Sequence, residues 1–290
     1  MSGNKQITAF VFAGGGSLGA IQVGALRELV AAGEKPDFVV GASVGALNAC
    51  HYASEPYAAG VKELETIWRN LLRQDVFPAT LSGAINLLRG SGSLFDSRSL
   101  RQLVTRHLRV ERLEDTEIPV HVVATGMDGS ATCLSKGAVS DAVLASSAIP
   151  IALPSVQIGE HHLIDGAVAG NTPILTAAEL GAERIVVLQT GYPCAMQGPP
   201  RGAIAGGLHA LTLLISNQME RDLKLLAGKA DVFVAPHLCP LAISPFNFSE
   251  GATLIERSAQ AARAWIEAGG LIRPADASVF EHHHAKSAAT

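Results

Sequence analysis

Hydrophobic runs long enough to cross a membrane are missing from this sequence; none reaches the ~18 residues that a spanning helix needs. Charge is scarce as well, at 17% of 290 residues against 48% hydrophobic, a balance that argues against a disordered chain. The 22 Lys and Arg are outnumbered by 26 Asp and Glu and form no basic block, which argues against a nucleic-acid reader. Cysteine is sparse: Cys50, Cys133, Cys194 and Cys239 are scattered without a CxxC pair. Neither a disulfide framework nor a zinc site is expected, and the four read as small buried or half-buried apolar residues. No secretory leader is expected either. The apolar run after Lys5 covers only residues 7–13, breaks at Gly14-Gly15-Gly16, and is followed by no small-residue cleavage signal. The expected location is the cytoplasm, with contact at a membrane surface left open.

What is present is a regular alternation. Residues 7–12, 38–40, 120–124, 185–188 and 231–234 are short continuous apolar runs, as parallel strands buried on both faces would be. Between and after them, residues 17–32, 58–73, 99–108, 173–180, 207–226 and 250–268 carry apolar positions at helical spacing, and a further helix starts just after Ser43. Strands separated by helices imply βαβ units: an α/β chain, three layers α/β/α around a mainly parallel central sheet. Residues 1–274 are expected to form one domain and residues 275–290, with His282-His283-His284, a frayed tail. Residues 76–95 are less regular, with Pro78, Gly83, Gly90 and Gly92 around an apolar stretch holding Leu87 and Leu88. They read as core packing under a loop or as a lid facing a membrane.

Gly14-Gly15-Gly16-Ser17-Leu18-Gly19 falls where the first strand hands over to a helix. Such a turn leaves several backbone N–H groups without intrahelical partners beside a positive helix end. Glycines let that backbone approach a bound group closely. The result is an anion cradle, for a phosphate or for the oxyanion of acyl transfer. Gly14, Gly16 and Gly19 also satisfy the G-x-G-x-x-G spacing of dinucleotide folds, yet the second strand ends in Gly41-Ala42-Ser43 rather than in an acidic residue, and Asp37 precedes it.

Gly41-Ala42-Ser43-Val44-Gly45 matches G-x-S-x-G between a buried strand and a helix, the context of a nucleophile elbow. A plainer reading makes Ser43 a helix cap. A nucleophilic serine needs a base, and an ordinary α/β-hydrolase order fails, because Ser43 follows only two strands. His51, His161, His162, His209 and His237 are candidates without a motif around them. Asp165, which ends an apolar run in Leu163-Ile164-Asp165-Gly166-Ala167, is the better one, with a solvated Asp-Gly turn as its alternative. Asn171-Thr172-Pro173 then opens a helix.

Taken in order, the glycine hexapeptide, Gly41-Ala42-Ser43-Val44-Gly45 and Asp165-Gly166-Ala167 resemble the patatin-like phospholipase family, as do Ala145-Ser146-Ser147-Ala148-Ile149-Pro150 and Leu94-Phe95-Asp96. The likeness covers residues 7–190. It implies a patatin-like fold and a Ser–Asp dyad, with Ser43 as nucleophile in an elbow flanked by Gly41 and Gly45, and Asp165 as base. It also implies an oxyanion hole from Gly14, Gly15, Gly16 and Ser17, a lipid or ester substrate, and no metal or cofactor. A free carboxylate near its ordinary pKa is a poor base, so an apolar cleft must raise it. A non-catalytic ligand-binding module on the same fold, and a nucleotide-binding enzyme, are the alternatives.

Overall fold

The computed structural model describes residues 6–78, 93–191, 218–239, 241 and 243–275, with positions 206, 207, 210 and 214. Its strands are β1 (Thr8–Phe12), β2 (Phe38–Ala42), β3 (Val120–Gly126), β4 (Ala131–Leu134), β5 (Val156–Ile158), β6 (His161–Ile164), β7 (Arg184–Leu188) and β8 (Asp231–Val234). All eight belong to one mixed sheet. Five run parallel in the order β3-β2-β1-β7-β8, while β3 pairs antiparallel with β4 and β6, and β6 with β5.

The helices are α1 (Gly19–Ala31), α2 (Val44–Ser54), α3 (Ala58–Asn70), α4 (Arg73–Val76), α5 (Arg98–His107), α6 (Val139–Ser146), α7 (Ala167–Gly170), α8 (Ile174–Glu179), α9 (Gln218–Leu226) and α10 (Gly251–Glu267). Strand alternation sorts them into two layers. Phe10, Phe12, Val39 and Leu188 share one core with Leu26, Leu47, Leu64 and Leu254 from α1, α2, α3 and α10. Ala9, Val11, Val40 and Val187 share the opposite core with Ile174, Met219 and Leu223 from α8 and α9. The three-layer arrangement and its mainly parallel centre are therefore as the alternating pattern implies.

Several boundaries differ from expectation for local reasons. The first helix opens with a 3-10 turn, Gly16–Leu18, before α1 proper. The run expected over 58–73 breaks at Leu71 and Leu72, whose extended backbones bury Leu71 and leave Leu72 exposed. In the helix expected over 207–226, the described residues Gly207, Ala210 and Leu214 are helical, as is α9. Cys50 is buried, but Cys133, on the edge strand β4, and Cys239 are exposed. Residues 79–92, with Leu87 and Leu88, lie outside the described residues, as do Cys194, His209 and residues 276–290. Among the described residues no helix is long and apolar enough to cross a membrane.

Candidate active site

Register explains why two residues far apart in sequence meet. Val122 and Val123 pair with Gly41 and Ala42 of β2 on one edge of β3 and with β4 on the other. Thr125 pairs with both Ala131 of β4 and Ile164 of β6, so β6 must use the same edge as β2. β2 runs along that edge in the direction of β3 and stops at Ala42; β6 comes the opposite way and stops at Ile164. The next residues, Ser43 and Asp165, converge head to head. Ser43 Oγ donates to Asp165 Oδ2 over 2.8 Å, both side chains buried.

The segment joining α6 to β5 holds this junction open. Ser43 N–H donates to Ser146 Oγ at 2.8 Å, and that hydroxyl donates to Val123 carbonyl oxygen at 2.5 Å, where a direct ladder bond from Ser43 would fall. The carbonyls of Ala148 and Ser146 accept the N–H groups of Asp165 and Gly166, each at 3.0 Å. One short stretch thus fixes both partners. Ser43 itself has φ 54° and ψ −126°, a conformation costly for any non-glycine residue and tolerated only where the surroundings over-determine it. They do: a Cβ on Gly45 would lie 2.2 Å from the carbonyl oxygen of Phe12, and one on Gly41 2.4 Å from that of Gly45, so only glycines permit so tight a strand-to-helix turn.

Asp165 Oδ1 accepts the N–H of Ala167 at 2.8 Å, which orients the carboxyl while Oδ2 faces Ser43. Burial pushes its pKa up from 3.8 to about 7, against the downward pull of the hydrogen bonds from Ala167 and Ser43. That is the range in which a general base is effective near neutral pH. Thr125 Oγ donates to the Asp165 carbonyl at 2.7 Å and completes the frame.

The glycine loop is more selective than the sequence suggests. Gly14 N–H donates to the Asn171 carbonyl at 2.9 Å and Ser17 N–H to the Pro245 carbonyl at 2.7 Å. Those two amides are consumed by the fold, which corrects their expected place in an oxyanion hole. The N–H groups of Gly15 and Gly16 have no acceptor among the described residues. Gly14 abuts the candidate nucleophile, since a Cβ on it would sit 3.2 Å from Ser43 Cβ. α2 begins immediately after Ser43, so its positive end lies at the same spot.

An apolar cleft of about 40 Å³ adjoins Ser43. Leu47, Trp68, Leu71, Leu103, Leu153, Phe77 and Phe248 line it, and its polar lining is confined to Gly16, Ser43 and Ser147. Phe77 packs against Phe95, Phe246 and Phe248 at ring-centroid distances of 5.2, 5.4 and 6.2 Å.

The other candidates are elsewhere. His51 is buried with its ring nitrogens on the carbonyls of His107 and Gly60, and burial lowers its pKa, so it packs α2 against α3 and α5. His161 and His162 are exposed on β6, and His237 follows β8. Asp37 accepts the Thr8 N–H at 2.8 Å, far from a ribose-binding position at the end of β2. No group of His, Cys, Asp and Glu among the described residues is arranged to hold a metal ion.

Sequence reasoning passed over Gln22, Thr190 and the hydroxyl of Ser146. Gln22 is wholly buried within α1; its Nε2 donates to the carbonyls of Ala13 and Leu188 at 2.7 and 2.9 Å, and its Oε1 accepts from Asn48 Nδ2 at 2.7 Å. Asn48 Oδ1 in turn accepts the Trp68 indole N–H at 2.8 Å. A glutamine inside the otherwise apolar stretch Gly19–Leu26 demands such partners, and that was the available signal. Thr190 lies just beyond the carboxyl end of β7, where α/β sheets place functional groups.

The chain is similar to several known proteins. Human patatin-like phospholipase domain-containing protein 6 is 27% identical over 186 residues, covering 63% of this chain and 13% of that protein. Rat patatin-like phospholipase domain-containing protein 7 is 25% identical over the same length, with 63% and 13% covered. An uncharacterized NTE family protein of Mycobacterium bovis is 28% identical over 287 aligned residues, covering 89% of this chain and 46% of that one. The chain therefore spans less than half the length of each of these relatives. Among solved structures, VipD from Legionella pneumophila aligns with a TM-score of 0.48 and 13% identity over 92% of this chain and 68% of that one. The profile of the patatin-like phospholipase family matches residues 10–178, a span that takes in the glycine loop, the strained serine and the buried aspartate: the chain belongs to that family.

Proposed function

We propose that residues 1–274 form one lipid acyl hydrolase domain, of phospholipase, lysophospholipase or carboxylesterase type, working through a Ser43–Asp165 dyad. The observation that carries this reading is the 2.8 Å bond from Ser43 Oγ to a buried carboxylate at the head of an apolar cleft. The lining suits an acyl chain in chemistry, being apolar apart from Gly16, Ser43 and Ser147. Ser43 Oγ attacks the ester carbonyl carbon and its proton passes to Asp165 Oδ2. The carbonyl oxygen becomes an oxyanion held by the free N–H groups of Gly15 and Gly16. Collapse expels the alcohol, which takes the proton from Asp165. Asp165 then deprotonates a water that releases the acid and restores Ser43.

The step so drawn uses no metal and no cofactor. Its substrate reaches Ser43 from a lipid surface, which makes transient membrane contact part of the proposal. Turnover of a short-chain p-nitrophenyl ester is expected to vanish in Ser43→Ala and in Asp165→Asn, with both variants folded. A fluorophosphonate is expected to label Ser43 and no other residue, as peptide mass spectrometry reads out. Label on a different serine, or hydrolysis that survives Ser43→Ala, overturns the assignment.

A further inference from the structure

Two peptide units hold the free amides, and both are clamped from their carbonyl side. The Gly15 carbonyl, which shares a peptide plane with the Gly16 N–H, accepts the N–H of Leu18 at 3.2 Å in the 3-10 turn. The Gly14 carbonyl, which shares a plane with the Gly15 N–H, accepts the hydroxyl of Thr190 at 2.6 Å. Thr190 is 2% exposed, and among the described residues its single hydroxyl hydrogen has one other acceptor in range, its neighbour Gly191 at a much longer 3.4 Å. A trans peptide points its C=O and N–H in opposite directions. A bond that fixes the carbonyl therefore fixes the amide on the far side, and it polarises that amide into a stronger donor. Thr190 also makes Gly15 obligatory, since a Cβ there would lie 2.3 Å from its hydroxyl oxygen.

We infer that Thr190 is a positioning residue for the oxyanion: its hydroxyl, from beyond β7, sets the plane of the Gly14–Gly15 peptide and so the aim of the Gly15 N–H. The inference rests on the acyl-hydrolase reading of the site. Thr190 touches no substrate atom in this role. The group it aims matters in the transition state and little in the ground state, so its loss falls on kcat and not on KM.

The test compares the wild type with Thr190→Val, which keeps the shape and loses the donor, and Thr190→Ser, which keeps the donor, on a p-nitrophenyl butyrate substrate. Thr190→Val is expected to lower kcat on the order of tenfold, less than outright loss of an oxyanion donor, with KM within about twofold. Affinity for an alkyl trifluoromethyl ketone, whose adduct with the serine carries the oxyanion, should fall by the same factor. Thr190→Ser should recover most of kcat. Full kcat in Thr190→Val, a change confined to KM, or failure of Thr190→Ser to recover overturns the inference. Ser43→Ala separates the two levels. Turnover that survives it removes the hydrolase reading and this inference together, whereas a dead Ser43→Ala beside a fully active Thr190→Val removes this inference alone.

Discussion

Replacing Asp165 by Asn should stabilise the fold at alkaline pH while abolishing turnover. Burial holds the native carboxyl at about 7, against 3.8 for the free group. Between those two values the folded chain keeps a proton that the unfolded chain has released, so stability falls as pH rises through that window. The contribution is fully present below about pH 4 and gone by about pH 8. A gap of about three pH units at 1.36 kcal/mol each makes the loss about 4 kcal/mol. Asparagine mimics the protonated acid: its oxygen accepts the Ala167 N–H as Oδ1 does now, and its amide donates to Ser43 Oγ. It does not titrate.

The two proteins should therefore unfold alike near pH 4, and Asp165→Asn should gain about 4 kcal/mol on the wild type by pH 8. Urea unfolding followed by tryptophan fluorescence, run at intervals from pH 4.5 to 8, measures the difference directly. Other titrating groups, such as the buried His51, contribute equally to both proteins and cancel. Parallel stabilities across the whole range would show that the carboxylate is not held in an apolar setting, and the argument for Asp165 as a base near neutrality would fall with it.

Catalysis should run the other way. Because the base must be ionised, kcat/KM on a soluble ester is expected to rise about tenfold per pH unit at low pH and level off around a midpoint of about 7; a midpoint near 4, or a flat profile from pH 5 to 9, contradicts this. Ser146→Ala strips the Ser43 N–H of its acceptor and the Val123 carbonyl of its donor in a place with no solvent access. It should cost about 1–3 kcal/mol of stability and lower kcat, and an unchanged urea midpoint would refute the bridging role. Phe77→Ala opens the wall of the cleft. Each further acyl methylene it admits should raise relative kcat/KM about fourfold, read from a series of p-nitrophenyl esters of increasing length, and an unshifted optimum would place the chain elsewhere.

How much of this was legible in sequence depended on whether the governing force is local. The parallel strands were, because burial on both faces writes a continuous apolar run such as 185–188. The elbow was, because glycines at 41 and 45 answer a close approach that the turn itself imposes. Pairing between β3, β4 and β6 was not, since nothing in residues 161–164 says which strand they meet or on which edge. The proposed oxyanion loop was half legible. Four consecutive positions offer amides, but which ones stay free is decided by Asn171 and Pro245, more than 150 and 220 residues along the chain, whose carbonyls capture Gly14 and Ser17. Thr190 is illegible for the same reason: its proposed role is a contact with a backbone atom, and backbone atoms leave no composition to read.

The site is built against its own stability. A serine in a left-handed conformation costs about 1–3 kcal/mol, and an ionised carboxylate in a dry junction about 4 more at alkaline pH. Together, at about 5–7 kcal/mol, these are comparable to half or more of the net stability a domain ordinarily has. Such a site survives only if relaxing it would break something costlier, and the packing around it meets that condition. Helix α1 is buried nearly all round, with Gly24 so close to α10 that a Cβ would lie 2.1 Å from the Ile255 carbonyl oxygen. Its Gln22 bridges the ends of β1 and β7, and Asn48 and Trp68 hold that amide in the one orientation that satisfies every partner: backbone carbonyls only accept, and an indole N–H only donates. Letting Ser43 slip to a relaxed backbone would drive Gly45 away from Phe12, unseat α2, and break the bonds of Asn48 to Gln22 Oε1 and to the Trp68 indole in a buried place. The strain at the serine and the proton affinity of the aspartate are thus kept in place by a core that has no lower-energy way to let them go.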